Sequence, residues 1–299
     1  MTAAIRRVHY GRVSQYFLKR PISLSINTAT RFLAEYTALS RVLEPIDLLA
    51  LAKATLTQGP AILRSKKLTA LDAAMSRNMT VHVRDTPMSL PLAEIDHILA
   101  ANNDNPTFGN VRELYARDCY LEHLHLKTPL HAVLDLGANR GMFSLLALLA
   151  LKAEIAVGVE PTEIYESIHW LLLEANDCSL QRGPRYKKFV SSPSTERQDP
   201  SRNVSIETIL REQKIDRFSL VKMDIEGHER AVFSEPEWLA HVDTITMELH
   251  PQFVDDLSSI PQALERYGFD YRMFDQAGEP ATVKSAMFLC ASCTGELAA

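Results

Sequence analysis

The sequence predicts an α/β fold: a Rossmann-like, largely parallel sheet of the nucleotide-binding kind, preceded by a helical N-terminal region. Three observations predict it. A short apolar run, Ala132–Leu136, leads into the loop 137–141, which has glycine at both ends, and then into a helical run over 142–151. A second apolar run, Ile155–Val159, ends in Glu160-Pro161, about 20 residues after Gly137, the distance at which an acid accepts ribose hydroxyls in nucleotide-binding folds. Two later apolar runs, 218–223 and 243–249, end in polar residues, as strands do when their carboxyl ends face a ligand.

The elements follow in order. Residues 1–20 show no clean period. From Thr28, apolar residues at Ala29, Phe32, Leu33, Tyr36, Leu39 and Leu43 mark a helical face. Pro45 is suited to open a second helix over 46–56, which Gly59-Pro60 should close. A third helix is expected over 68–76, a strand over 80–83, and a helix over 92–100 that the turn formers 102–106 stop. The segment 111–121 should lead into the core sheet. After Glu160 come a helix over 162–175, a third strand over 186–190 and a helix from Ser205. The two later apolar runs are the fourth and fifth strands. A helix over 260–267, stopped by Gly268, and a closing strand pair, 269–274 and 286–291, complete the chain. No stretch reads as a flexible linker, so the division expected is a mainly helical 1–104 and an α/β domain over 105–299.

Bulk properties narrow the class. The 299 residues are 46% hydrophobic and 23% charged, an ordinary globular composition. No apolar run reaches the ~18 residues that span a bilayer, and no signal-peptide pattern opens the chain. The reading is a cytoplasmic protein. Cys119, Cys178, Cys290 and Cys293 are too few for a disulfide framework, and the C-x-x-C at the end of the last apolar run lacks the second pair a zinc site needs. The net charge of −5 gives no basis for nucleic acid as the main partner. It is uneven, however: residues 1–67 hold eleven Lys/Arg against three acids. That is either a solvated basic face or a means of peripheral contact with an anionic surface.

The first loop separates two cofactor classes. A dinucleotide fingerprint, G-x-G-x-x-G, needs a second glycine against the pyrophosphate; Gly137-Ala-Asn-Arg-Gly141 lacks it. Asp135 at the strand end would repel a pyrophosphate but would suit an ammonium group. S-adenosylmethionine has no phosphate and carries both an ammonium and a sulfonium. A nicotinamide-dependent oxidoreductase is therefore disfavoured.

Together, VLDLGANRGMFSL, VEP, LVKMDIEG at 220–227 and MELH at 247–250 resemble the FkbM-type family of S-adenosylmethionine-dependent methyltransferases, over about residues 111–290. The resemblance implies a seven-stranded class I methyltransferase sheet, S-adenosylmethionine as cofactor, and transfer of a methyl group to a hydroxyl of a sugar, glycolipid or secondary metabolite. N-methylation of an amine and a non-catalytic scaffold stay open. Partners would be a small-molecule or glycan acceptor.

Cofactor-binding candidates are Asp135, Gly137, Asn139, Gly141, Glu160, Ser191 and Asp224, with Ser191 at the strand end that usually meets the adenine. Alternate strand residues share a face, so Lys222, Asp224 and Glu226 should line one side of the fourth strand's end, and Glu248 and His250 the fifth's. A structural ion-pair network, such as Lys222 with Glu248, is the competing reading. His250 is the first candidate base because imidazole titrates near neutrality; Asp224 is the second, and Lys222 could stabilise a developing alkoxide. Asp224 with Glu226 lacks a third ligand, so no metal is assigned. His123 and His125 read as a solvated pair and His228 as a capping residue. Tyr120 stands where the family often has a tyrosine before the first strand, either over the cofactor or in packing.

Overall fold

A computed structural model describes residues 26–251 and 257–298. The unpatterned first twenty residues lie outside the described part. The chain divides into two compact units, one ending at His82 and resuming over Ser89–Arg117, the other formed by Val83–Met88 and the chain from Asp118 onward.

The first unit holds α1 (Ile26–Leu39), α2 (Pro45–Ser65), α3 (Thr69–Ala74) and α4 (Leu92–Ala101), then a short α5 (Phe108–Asn110) that runs into a π-helical turn, Val111–Ala116. Two expectations fail here. Gly59-Pro60 does not close α2. Pro60 removes one backbone bond, at a cost of about 3 kcal/mol, but the buried face continues past it through Leu51, Ala54 and Ile62. The helix ends only where Lys66 turns left-handed at φ 55° and bonds its N–H to the Ile62 carbonyl. The segment 111–121, expected to lead into the core sheet, opens as a π-helical turn, Val111–Ala116. Its π-helical turn puts Arg112 in the interior, where the guanidinium forms a two-pronged pair with Asp72 (3.0 and 3.0 Å) and reaches Glu35 at 3.1 Å. Glu35 also pairs with Arg117, so the buried charges are matched rather than solvated. Leu33, expected on the inner face of α1, is exposed.

Strands β1 (Met79–Val83) and β2 (Thr86–Leu90) form a two-stranded sheet. The second of these was not expected. Its turn is Arg84-Asp85, both at positive φ, without the glycine that usually marks such a turn.

The second unit is built on seven strands: β3 (Ala132–Leu136), β4 (Ile155–Val159), β5 (Arg185–Tyr186), β8 (Leu220–Met223), β9 (Thr244–Glu248), β10 (Asp270–Phe274) and β11 (Phe288–Ser292). Their order is β10-β11-β9-β8-β3-β4-β5, with β11 antiparallel to both neighbours and the inner strands parallel. This is the Rossmann-like class I methyltransferase sheet that the resemblance implied. Helices α6 (Met142–Leu149), α7 (Ile164–Glu174), α9 (Ile206–Gln213), α10 (Glu229–Val232) and α11 (Ser259–Arg266) lie between the strands in the chain. The core joins Leu134, Leu136, Val221, Met223, Ile245 and Met247 of the central strands to Ile206, Ile209, Ile260 and Leu264 of α9 and α11. Every side chain from Met142 to Leu148 of α6 is buried, which explains a run apolar on all sides.

The third strand differs from its expected form. It breaks in two: β5 joins the large sheet, whereas β6 (Phe189–Val190) pairs with β7 (Asn203–Val204) in a separate two-stranded sheet. Between them, α8 (Pro193–Gln198) is capped by Ser192, whose hydroxyl accepts from Thr195 N–H. Among the described residues, no helix is long and apolar enough to cross a membrane.

Candidate active site at the carboxyl ends of the parallel strands

The chain moves outward from β3 to β4 and β5, then returns to β8 on the other side of β3. The crevice of an open α/β sheet forms at such a switch point, above the strand ends. The loops after β3 and β8 meet there. Gly137 has φ 71°, and a Cβ on it would stand 1.7 Å from the Asp224 carbonyl oxygen. Gly141, at φ 86°, would put a Cβ 2.1 Å from His169 Nδ1. Only glycine satisfies both the dihedral and the space at these two positions. Gly137 N–H and Ala138 N–H both donate to the Val159 carbonyl, which fastens the loop to the end of β4.

One transverse row of the sheet carries the polar residues. Register aligns Arg185, Gly158, Asp135, Lys222, Thr246 and Cys290 across neighbouring strands. Asp135 is fully buried, accepts from Ser144 Oγ at 2.7 Å and lies 3.3 Å from Lys222 Nζ. It is thus the counter-ion of Lys222 and the anchor of α6, not an open partner for a ligand's ammonium. Lys222 is equally committed. Its ammonium donates to the Gly137 carbonyl at 2.9 Å, and the Tyr120 ring centroid is 5.3 Å away. Burial pulls the Lys222 pKa down, but Asp135 and Asp224 outweigh it and hold it above its usual value.

Glu160 closes the other side of the loop. Its carboxylate accepts from Asn139 N–H at 3.1 Å and Thr162 N–H at 2.9 Å. Each oxygen keeps a further lone pair, enough for two hydroxyl donors. Asn139 takes a left-handed φ of 46° to offer that N–H, while its carbonyl accepts from Arg185 at 2.5 Å. Ser191 is buried at the end of β6. Because β6 left the large sheet, the strand end beside Glu160 is Tyr186 instead.

The second cluster gathers beyond β8 and β9. His250 Nδ1 donates to Glu229 at 2.7 Å, and Nε2 faces Asp224 at 3.7 Å, Glu226 at 3.8 Å and Glu248 at 4.0 Å. Burial lowers the imidazole's pKa, but the Glu229 hydrogen bond and the surrounding carboxylates outweigh it and raise it to about 9. That shift favours the imidazolium at neutral pH. Glu226, held at φ 54° beside Gly227 at 96°, is pushed up to about 7 by burial and by the charge of Asp224. Tyr120 caps the cluster from one side. Its hydroxyl donates to Asp224 at 2.9 Å and approaches Glu248 at 3.4 Å. Burial and those two carboxylates hold the phenol well above its usual range, so it remains a donor. Thr246 Oγ1 pins the Tyr120 carbonyl at 2.7 Å.

Five carboxylates, Asp135, Asp224, Glu226, Glu229 and Glu248, thus share the strand ends with two cations, Lys222 and His250. Among the described residues, Asp224 Oδ1 is buried without a hydrogen-bond partner. Such an anionic excess suits a cationic ligand. Asp224, Glu248 and His250 each offer a donor atom within 4.8 Å of the others, a mixed set open to a divalent cation. Ligation at Nε2 would first have to displace the imidazolium proton. Sequence reading missed Glu229, Ser144 and Arg185, which touch the site from behind and carry no motif.

The Methyltransferase FkbM domain family matches residues 89–271, more than half of the chain. No curated protein matches it. Similar solved structures include the ribosomal protein L11 methylase from Lactobacillus delbrueckii subsp. bulgaricus, at 16% identity over 56% of this chain and 71% of that one, TM-score 0.36. The precorrin-6y C5,15-methyltransferase from Geobacter metallireducens GS-15 shares 12% identity over 59% and 86%, TM-score 0.39. An rRNA methylase from Streptococcus thermophilus shares 11% over 61% and 93%, TM-score 0.39.

Proposed function

The chain belongs to the FkbM methyltransferase family, and on that premise we propose that it transfers a methyl group from S-adenosylmethionine to a hydroxyl of a sugar, glycolipid or secondary metabolite. The observation that carries this reading is the pairing of a glycine-walled loop and an amide-held Glu160 with an anionic, partly unsatisfied cluster one switch point away.

The residues fit the cofactor. Gly137 and Gly141 let the loop pack tightly against Asp224 and His169, Glu160 offers lone pairs to the ribose hydroxyls, and the carboxylates complement positive charge. When bound, S-adenosylmethionine supplies an electrophilic methyl group on a sulfonium. The chain itself must align the acceptor and take its proton. The carboxylates around His250 favour its protonated form, so we assign the base to Glu226 in place of the histidine expected from sequence. Glu226 is the most exposed of the three carboxylates around Nε2 and titrates near neutrality. His250 and Tyr120 keep Asp224 and Glu248 in place by charge and hydrogen bond. The cluster favours a hydroxyl over an amine, because three carboxylates would hold an amine as its unreactive ammonium.

Incubation with S-adenosylmethionine and matched panels of hydroxyl and amine acceptors tests the proposal. Release of S-adenosylhomocysteine with hydroxyl acceptors supports it, and release with amines alone reverses the acceptor class. Cofactor binding without turnover on any acceptor would indicate a scaffold.

A further inference from the structure

Helix α2 turns toward solvent a face of the kind helices bury. Ile46, Leu49, Leu56 and Leu63 are 56, 69, 81 and 61% exposed. Leu49, Leu56 and Leu63 recur every seven residues, two turns apart, and so stand in line along the helix. Ala52 and Pro60 are exposed within the same row. The opposite face, with Leu51, Ala54 and Ile62, is buried. The helix therefore has two apolar faces, only one of them covered. Single exposed leucines need no explanation, but a row that runs from Leu49 to Leu63 along one helix does.

Charge indicates what fits the row. The exposed charged side chains of α2 and the turn after it are Lys53, Arg64, Lys66 and Lys67, all cationic. The helix's one acid, Asp47, is buried and paired with Arg77. Lys53 and Arg64 border the apolar row, where their alkyl stems can lie along it while their charged ends reach outward. The same sign dominates the surrounding sequence, with eleven Lys/Arg against three acids over residues 1–67.

We propose that this face of α2 seats the protein on an anionic lipid surface, the helix lying in the plane of the headgroups with Leu49, Leu56 and Leu63 at the acyl boundary and the cations on lipid phosphates. A spanning role does not fit, because no described helix is apolar enough to cross a membrane. A second copy of the helix fits less well. The seam of a helix pair would bring the cations that border the row, Lys53 and Arg64, against the same cations of the other copy. The inference stands on the first unit alone and does not depend on the proposed methyl transfer.

Flotation of the full chain with vesicles tests it. Binding is expected to vesicles of phosphatidylcholine mixed with phosphatidylglycerol and not to phosphatidylcholine alone, and it should weaken as salt rises. The triple variant Leu49→Gln, Leu56→Gln, Leu63→Gln should bind the mixed vesicles on the order of tenfold more weakly. Lys53→Glu with Arg64→Glu, which leaves the apolar row intact, should lose a similar factor. The second variant keeps the test decisive if the first fails to fold. No binding to mixed vesicles would overturn the proposal. So would undiminished binding by both variants, which would place contact elsewhere on the chain. A dimer that the triple variant converts to monomer, without lipid binding, would assign the face to a second copy instead.

Discussion

Lys222 Nζ donates to the carbonyl oxygen of Gly137 at 2.9 Å, reaching from the strand before one loop to the backbone of the other. The charge that makes this contact is buried and balanced by Asp135, its direct neighbour across the β3–β8 register. The lysine thus fastens the two halves of the switch point. Lys222→Met should lower stability by about 3–5 kcal/mol, since Asp135 would keep a buried charge without its partner. Adding Asp135→Asn should recover much of that loss. Urea denaturation of the single and double variants measures both, and a loss below about 1 kcal/mol would show the pair to be idle.

Gly137→Ala should be far more damaging than Gly268→Ala. Both glycines have positive φ, but a Cβ at 268 meets nothing within 4 Å, whereas at 137 it meets the Asp224 carbonyl. Strain alone predicts a loss of about 1–2 kcal/mol at 268. At 137 the loops must part as well, so cofactor affinity should fall along with stability. Equal losses in the two variants would show that the loops are not in the contact described.

The reaction rate should rise with pH through about 7, where Glu226 loses its proton. Glu226→Gln should remove that rise and slow turnover on the order of a hundredfold or more while leaving cofactor affinity nearly unchanged. A wild-type pH profile in the glutamine variant would exclude Glu226 as the base.

His250 makes stability depend on pH in a defined window. Its pKa in the folded chain, about 9, lies above the ordinary imidazole value of 6.5. A raised pKa means the folded state binds the proton more tightly. The stabilisation is therefore complete below about pH 6.5 and is lost as pH rises through about 9. Denaturation midpoints should fall across that window, and His250→Gln should flatten the fall. An unchanged slope in the variant would assign the loss to other groups.

Much of this was legible in the residues. Ala132–Leu136 and Ile155–Val159 fold as strands at the limits their near-continuous apolar runs set, because both faces of these parallel strands are covered. The polar ends of β8 and β9 likewise announced the cluster around His250. What stayed hidden depends on contacts distant in sequence. Pro60 sits inside a helix because Ile62 beyond it is buried. The third strand breaks because Asn203–Val204 captures its second half. Neighbours also change the chemistry that residue type suggests: Asp135 and Lys222 pair with each other, and the Glu229 hydrogen bond raises the His250 pKa.

Glu160 offers the most direct test. Calorimetric titration of the full chain with S-adenosylmethionine should show saturable binding, and Glu160→Ala should weaken it on the order of tenfold by removing the carboxylate that Asn139 and Thr162 hold in place. No heat of binding, or an affinity that the alanine variant leaves unchanged, would contradict the assignment of this strand end as the cofactor site.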